Sequence, residues 1–195
     1  MTKKLSEILV EQKLTLELNP EFGTDKGGPK SYISGFYEEN FLPYKDKEIT
    51  LLEIGVRGGA SLCLWKNYFS NKSKIYGVDN LDDKNKHEIP VNEEWISGDN
   101  VNYIIGDAYS KELCDQIDFK IDILIDDGPH TFQSHIKTLE LYLPKINVNG
   151  MIIIEDVSYN PNDLFDYVPD NLKESSFLYD FGGYDNRLIV IEVKN

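Results

Sequence analysis

Positive charge is scarce in this chain: 20 Lys and Arg stand against 34 Asp and Glu, a formal net charge of −14 over 195 residues. Nucleic-acid binding draws on clustered basic side chains, so the balance argues against a nucleic-acid substrate or partner. Long apolar runs are missing as well. Nothing approaches the roughly 18 consecutive apolar residues that a bilayer-spanning helix needs, and no membrane partner is expected. Lys3 and Lys4 are not followed by an apolar segment, so no signal peptide is read there and the cytoplasm is the expected location. Cysteine is limited to Cys63 and Cys114, without metal-type spacing, and both read as buried thiols of a reducing compartment. Asn71-Lys72-Ser73 fits a glycosylation sequon but has no secretion signal beside it, and is set aside. Two phosphate-binding signatures are also absent. There is no G-x-x-x-x-G-K-[ST], and Gly55-Val56-Arg57-Gly58-Gly59-Ala60 carries Arg57 where G-x-G-x-x-G needs its second glycine.

What is present reads as one α/β domain over 1–195, with N-terminal helices and a covering loop in 1–45 and a core sheet in 49–195. The apolar stripe of residues 3–18 predicts a first helix, ended by Pro20 and Gly23. A polar loop, Phe22-Gly23-Thr24-Asp25-Lys26-Gly27-Gly28-Pro29-Lys30, follows. It is read either as a connector or as a lid in which Lys26 attracts a carboxylate and Asp25 an amine. Ser31 is expected to cap a second helix ending at Pro43. Short apolar runs at 49–54, 74–78, 102–105, 121–125 and 151–154 then alternate with helical patterns, the form of parallel strands buried on both faces. The helix after the fourth run presents Phe132, Ile136, Leu139 and Leu143, and Asn149-Gly150 turns into the fifth. Residues 81–100 read as a surface insertion. The last two runs, 176–180 and 187–193, are joined by too short a loop for a parallel crossover, which predicts an antiparallel hairpin.

Ligands of open α/β sheets bind beyond the carboxyl ends of the strands. Those ends offer Gly55, Gly58 and Gly59; Asp79; Asp107; Asp126, Asp127 and His130; and Glu155 with Asp156. Asp79 follows Gly55 by 24 residues, near the ~20 at which an acidic residue meets ribose hydroxyls. Together with the missing phosphate motifs, this points to a phosphate-free nucleoside, S-adenosylmethionine in the first place. Asp127, Glu155 and Asp156 form a hard oxygen set suited to Mg²⁺, with Mn²⁺ or Ca²⁺ as alternatives. His130 is placed to take a proton from an acceptor hydroxyl. His135 reads as structural, and His87 has no assigned role. A histidine-rich iron site, which an oxygenase would need, is not supplied.

At these residues the chain resembles class I S-adenosylmethionine-dependent methyltransferases, and more narrowly the metal-dependent macrolide-sugar O-methyltransferases of the mycinamicin and macrocin type. The resemblance runs from Gly23-Thr24-Asp25-Lys26 through Leu52-Glu53-Ile54-Gly55-Val56-Arg57-Gly58-Gly59-Ala60-Ser61 and Ile125-Asp126-Asp127-Gly128-Pro129-His130 to Ile154-Glu155-Asp156. It implies a Rossmann-like sheet of about seven strands, mostly parallel with a C-terminal antiparallel hairpin and helices on both faces. By position it implies that Glu53, Gly55, Gly58, Gly59 and Ser61 border the cofactor. Asp79 would bind the ribose and Asp107 the adenine amino group; Asp126 is counted with the cofactor residues. Thr24, Asp25 and Lys26 would lie near the methionine end. Asp127, Glu155 and Asp156 match the family's magnesium ligands and His130 its base. Pro129 departs from the usual serine and Ala60 from the usual residue before Ser61, and the sequence shows no counterpart of the extra N-terminal domain of some relatives. The implied activity is Mg²⁺-assisted O-methylation of a sugar or another vicinal-diol small molecule or glycan, with a homo-oligomer left open. A metal-independent methyltransferase and a catalytically inactive nucleoside-binding module are the alternatives. Trp95, Tyr159, Phe165 and Tyr167 are candidates to stack on a sugar.

Overall fold

Leu51, Leu52 and Ile54 have apolar neighbours wherever their side chains point, which is why this run forms the middle of the sheet. In the computed structural model, which describes residues 3–80 and 91–194, it is strand β1, Thr50–Ile54. The other strands are β2 (Lys74–Asp79), β3 (Val101–Ile105), β4 (Ile121–Asp126), β5 (Ile146–Ile154), β6 (Ser176–Asp180) and β7 (Arg187–Glu192). They form one sheet in the order β3-β2-β1-β4-β5-β7-β6. The first five are parallel, whereas β7 is antiparallel to both β5 and β6. Strand order reverses between β1 and β4, which makes their carboxyl ends the topological switch point.

Alternate residues of each strand feed opposite faces. Leu51, Ile75, Ile123, Ile125, Ile153 and Val190 pack on one side with α1 (Leu5–Glu11), the aromatic run around Tyr32–Phe41 and α3 (Ala60–Tyr68). Leu52, Ile54, Val78, Leu124, Ile152 and Ile189 pack on the other with α5 (Lys111–Gln116), α6 (Phe132–Tyr142) and α7 (Pro161–Phe165). Two shorter helices, α2 (Glu38–Asn40) and α4 (Glu93–Ile96), complete the set.

Four local expectations are corrected. Helix α1 ends at Glu11, because Lys13 takes a positive φ of 54° and Thr15 then bridges to Thr24. Ser31 does not cap a regular α-helix. Residues Ile33–Tyr37 form a π-turn that leads into α2, and Ser31 N–H is directed to Asn186 Oδ1. The most buried face of α6 is Ser134, His135, Thr138, Leu139 and Tyr142, rotated from the purely apolar stripe by hydrogen bonds of Thr138 to Asp126 and His135 to Tyr159. Strand β5 begins before Asn149-Gly150 and carries those residues through a register shift against β4, with Asn149 at φ 66°. Residues 81–90 of the expected insertion, His87 among them, lie outside the described residues. Cys63 and Cys114 are both buried free thiols.

Candidate active site

A cleft of about 1180 Å³ opens at the switch point, over the carboxyl ends of β1, β2, β3 and β4. Its floor is the turn after β1. Gly55 sits at φ 85°, and a Cβ there would fall 2.0 Å from the Asp127 carbonyl oxygen, so only glycine lets the two loops meet. Asp79 holds the turn, its Oδ2 accepting from Val56 N (2.8 Å) and Arg57 N (3.0 Å). The second-glycine position of a dinucleotide fingerprint is thus replaced by an Arg57 whose N–H is already engaged. Asp107, with Oδ1 accepting from Tyr109 N at 2.9 Å, lines the cleft beside Tyr103. Burial, with the Asp79 charge behind it, pushes the Tyr103 phenol up to about 12. Thr24, Asp25, Gly58 and Ser61 also line the cleft, whereas Gly59 (φ 92°) is not in the lining and faces Ile96 of α4, which an added Cβ would meet at 2.8 Å.

Past β4 and β5 the main chain continues the ladder: Asp127 N bonds Ile54 O (2.9 Å) and Glu155 N bonds Asp126 O (3.0 Å). This brings the acidic residues of neighbouring strand ends together. Asp127, His130 and Asp156 each offer one ligand atom, and all three atoms lie within 4.8 Å of one another. His130 Nε2 is 3.1 Å from Asp127 Oδ1, and its Nδ1 is 3.9 Å from Asp156 Oδ2. His130 (φ 55°) and Asp156 (φ 56°) both hold the left-handed conformation that non-glycine residues rarely adopt, and such strain gathers at functional sites. Burial opposes the charged imidazole, but the hydrogen bond and charge of Asp127, backed by Asp156 and Asp126, outweigh it and hold His130 above its ordinary value.

Four of the expected site residues lie beneath the cleft rather than in its lining. Lys26, read as a partner for a ligand carboxylate, is fully buried, with its ammonium 2.5 Å from Asp127, 2.6 Å from Glu155 and 3.5 Å from Glu53. Its charge is engaged by the protein's own carboxylates. Glu155, read as a metal ligand, directs one oxygen to Lys26 and accepts the Tyr37 hydroxyl on the other, and His130 takes its place in the metal-sized cluster. Desolvation pushes Glu155 well up, whereas Asp127, despite the same penalty, is drawn below the usual range by Lys26 and then His130. Glu53 is closed in with Trp65 Nε1 at 3.1 Å. Asp126, counted with the cofactor residues, is buried and accepts from Tyr109 O–H (2.6 Å), Gly128 N (3.2 Å) and the Thr138 hydroxyl, so it organises the turn that carries Asp127.

Sequence reasoning missed the clamp from the N-terminal segment. Lys30 Nζ reaches Asp156 (3.2 Å) and Asp185 (2.6 Å), and Tyr32 O–H donates to Asp156 Oδ1 (2.6 Å). The aromatic candidates are placed elsewhere. Trp95 meets Phe22 edge-on, Tyr159 bonds His135, Tyr167 packs on Phe132 and Phe165 joins the second core; none of the four lines the cleft.

The sheet order with its antiparallel β7, and a cleft at the switch point, define the class I methyltransferase fold. The solved structure of MycE methyltransferase from the mycinamycin biosynthetic pathway, in complex with Mg, SAH and mycinamycin VI, superposes with a TM-score of 0.71 at 22% identity, covering 100% of this chain and 55% of that one. A family model described as "Methyltransferase domain" matches residues 52–157, and the chain belongs to that family. Among curated relatives, the 8-demethyl-8-alpha-L-rhamnosyl tetracenomycin-C 2'-O-methyltransferase of Streptomyces olivaceus is 35% identical over 152 residues, 71% of this chain and 37% of that protein. The mycinamicin VI 2''-O-methyltransferase of Micromonospora griseorubida is 30% identical over 152 residues, 72% of this chain and 35% of that protein. The chain thus spans little more than a third of the length of these relatives. No helix among the described residues is long and apolar enough to cross a membrane.

Proposed function

We propose that this chain is an S-adenosylmethionine-dependent O-methyltransferase, assisted by Mg²⁺, that acts on a hydroxyl of a sugar or another vicinal-diol small molecule. The observation that carries this reading is the meeting of Asp127, His130 and Asp156 at the edge of the cleft that Gly55 and Asp79 floor. The similarity to the two sugar O-methyltransferases supports the same acceptor class.

Asp79, fixed by the turn, is set to meet the ribose hydroxyls, and Gly55 and Gly58 leave the backbone open to close approach. Asp107 faces the adenine end. Asp127 and Asp156 would hold the cation, with Glu155 behind them, joined to Asp127 through Lys26; a hard dication there would offset charge developing on an acceptor oxygen. His130 takes the acceptor's hydroxyl proton as the oxygen forms its bond to the methyl carbon, and the carbon–sulfur bond of the sulfonium breaks to leave SAH. Orientation and electrostatics supply most of the rate, since the sulfonium is already a reactive donor.

Calorimetric titration with S-adenosylmethionine, with and without Mg²⁺, tests the reading. Binding is expected in the micromolar range typical of such cofactor sites, on the order of −8 kcal/mol; no binding under either condition overturns it. Asp127→Asn is expected to remove Mg²⁺ stimulation of methyl transfer. One observation favours a metal-independent variant of the same chemistry, namely that Lys26 already supplies a cation to these carboxylates. Full activity after exhaustive EDTA treatment would select that variant.

A further inference from the structure

Lys26 is the least explained side chain of the site. It comes from a loop about a hundred residues away in sequence, is 0% exposed, and ends among Asp127, Glu155 and Glu53. Buried charge is tolerated only where it is paired, so none of these four groups would be placed there alone. The pairing is also directional. Lys26 Nζ contacts Oδ2 of Asp127, and the other oxygen of that carboxylate, Oδ1, is the one that meets His130. One oxygen is thus held by the protein while its twin faces the cleft edge, where Asp156 stands. On Glu155, Lys26 takes Oε2 and Tyr37 takes Oε1, which fixes that side chain from both ends. The loop itself is tied down by Lys30 and Tyr32 on Asp156.

We propose that Lys26 is a positioning residue of the metal centre, an internal cation that holds Asp127 and Glu155 together and shares the offset of their negative charge with the divalent cation. The assignment rests on the metal-assisted reading above. It has a consequence that simple packing does not. Without Lys26 the metal-free protein must either hold like charges together or take up a proton on Glu155, and a bound dication relieves that cost; the loss of stability should therefore be large without Mg²⁺ and small with it.

Thermal unfolding of the full chain in EDTA and in saturating Mg²⁺ tests this, using wild type, Lys26→Met, Lys26→Arg and the double variant Lys26→Met/Glu155→Gln. In EDTA, Lys26→Met should melt roughly 10 °C lower, as expected when a buried ion pair loses one partner. Adding Glu155→Gln should recover part of that loss, Lys26→Arg, which keeps the charge in a bulkier head, should lose less than Lys26→Met, and Mg²⁺ should raise the Tm of Lys26→Met by more than it raises wild type. Should Lys26→Met give no folded protein, Lys26→Gln carries the same comparison. An equal fall in both media while Mg²⁺ raises the wild-type Tm, or no recovery in the double variant, overturns the proposal. If Mg²⁺ moves no Tm while the double variant still recovers, the metal-assisted reading fails and the sharing fails with it, whereas the lysine–carboxylate coupling stands.

Discussion

His130 Nε2 lies 3.1 Å from Asp127 Oδ1, so the imidazole is oriented by the same carboxylate that forms one corner of the metal-sized cluster. As the base of the proposed reaction, His130 should matter to turnover and not to cofactor binding. His130→Ala is expected to lower kcat by about 10²- to 10⁴-fold, while the Kd for S-adenosylmethionine stays within a factor of about three. A parallel loss in both would show that His130 supports the fold of the site rather than proton transfer.

The same contact sets a pH dependence. Burial works against the charged ring, but Asp127 and the acids behind it hold His130 above its ordinary value of 6.5. Only the neutral ring accepts a proton, so kcat/KM should rise with pH as the ring gives up its proton. The sign for stability is opposite: the contribution is fully present below the unfolded value and is lost as pH climbs through the folded one. The acid limb should be absent from whatever activity remains in His130→Asn, and pH–rate profiles of the two proteins decide it.

Asp79 accepts from Val56 N and Arg57 N through one oxygen, and in the proposed reading it would couple the shape of the glycine turn to the ribose. Asp79→Ala removes both charge-assisted hydrogen bonds. Calorimetry should show cofactor affinity falling by about 10- to 100-fold, the equivalent of one such bond or slightly more. Unchanged affinity would mean that the ribose is held elsewhere.

The seven strands were legible because each is a short apolar run closed by a glycine or a carboxylate, and the hairpin because its loop is too short to cross over. Asp79, Asp107, Asp127, His130 and Asp156 followed from their places at strand ends, since topology alone brings such positions into one cleft. Lys26 did not follow, because its partners Asp127 and Glu155 lie 101 and 129 residues away and no local pattern encodes that pairing. Neither did the burial of Asp126, which depends on Thr138 and Tyr109 arriving from two other elements. The π-turn at Ile33–Tyr37 was missed for a similar reason. Its Gly35 lies so close to Phe181 that an added Cβ would meet that ring at 2.4 Å, a contact made only in the folded chain. The one sequence signal for Lys26 was a lysine within a glycine-rich loop of a strongly acidic chain.

Gly55→Ala should be among the most damaging single substitutions in the site. The new Cβ would meet the Asp127 carbonyl at 2.0 Å, backbone against backbone, at a φ of 85° that disfavours alanine. Strain and overpacking together should cost about 2–5 kcal/mol, lowering the Tm by about 5–15 °C. Because the displaced backbone carries Asp127, Mg²⁺ binding should weaken along with cofactor binding. A variant that keeps both affinities would show that the turn has room to move.

Glu53 offers a test on the other side of the site, in the direction opposite to most carboxylates. Desolvation pushes it up to about 7, Lys26 draws it back and Asp127 adds to the rise. As pH rises from the ordinary value of 4.5, the unfolded chain gives up this proton while the folded protein keeps it until about 7. Stability is therefore lost across that window and stays lost above it, by up to about 3 kcal/mol. Glu53→Gln cannot ionise, and it keeps an oxygen for Trp65 Nε1, which now lies 3.1 Å from Glu53 Oε2. Lys26 would lose its most distant carboxylate, at 3.5 Å, while keeping Asp127 and Glu155. Relative to wild type, the variant's Tm should therefore be several degrees higher at pH 8 than the same comparison gives at pH 5. A difference that is flat with pH, or larger at pH 5, would show that Glu53 is ionised in the folded protein and that Lys26 holds it so.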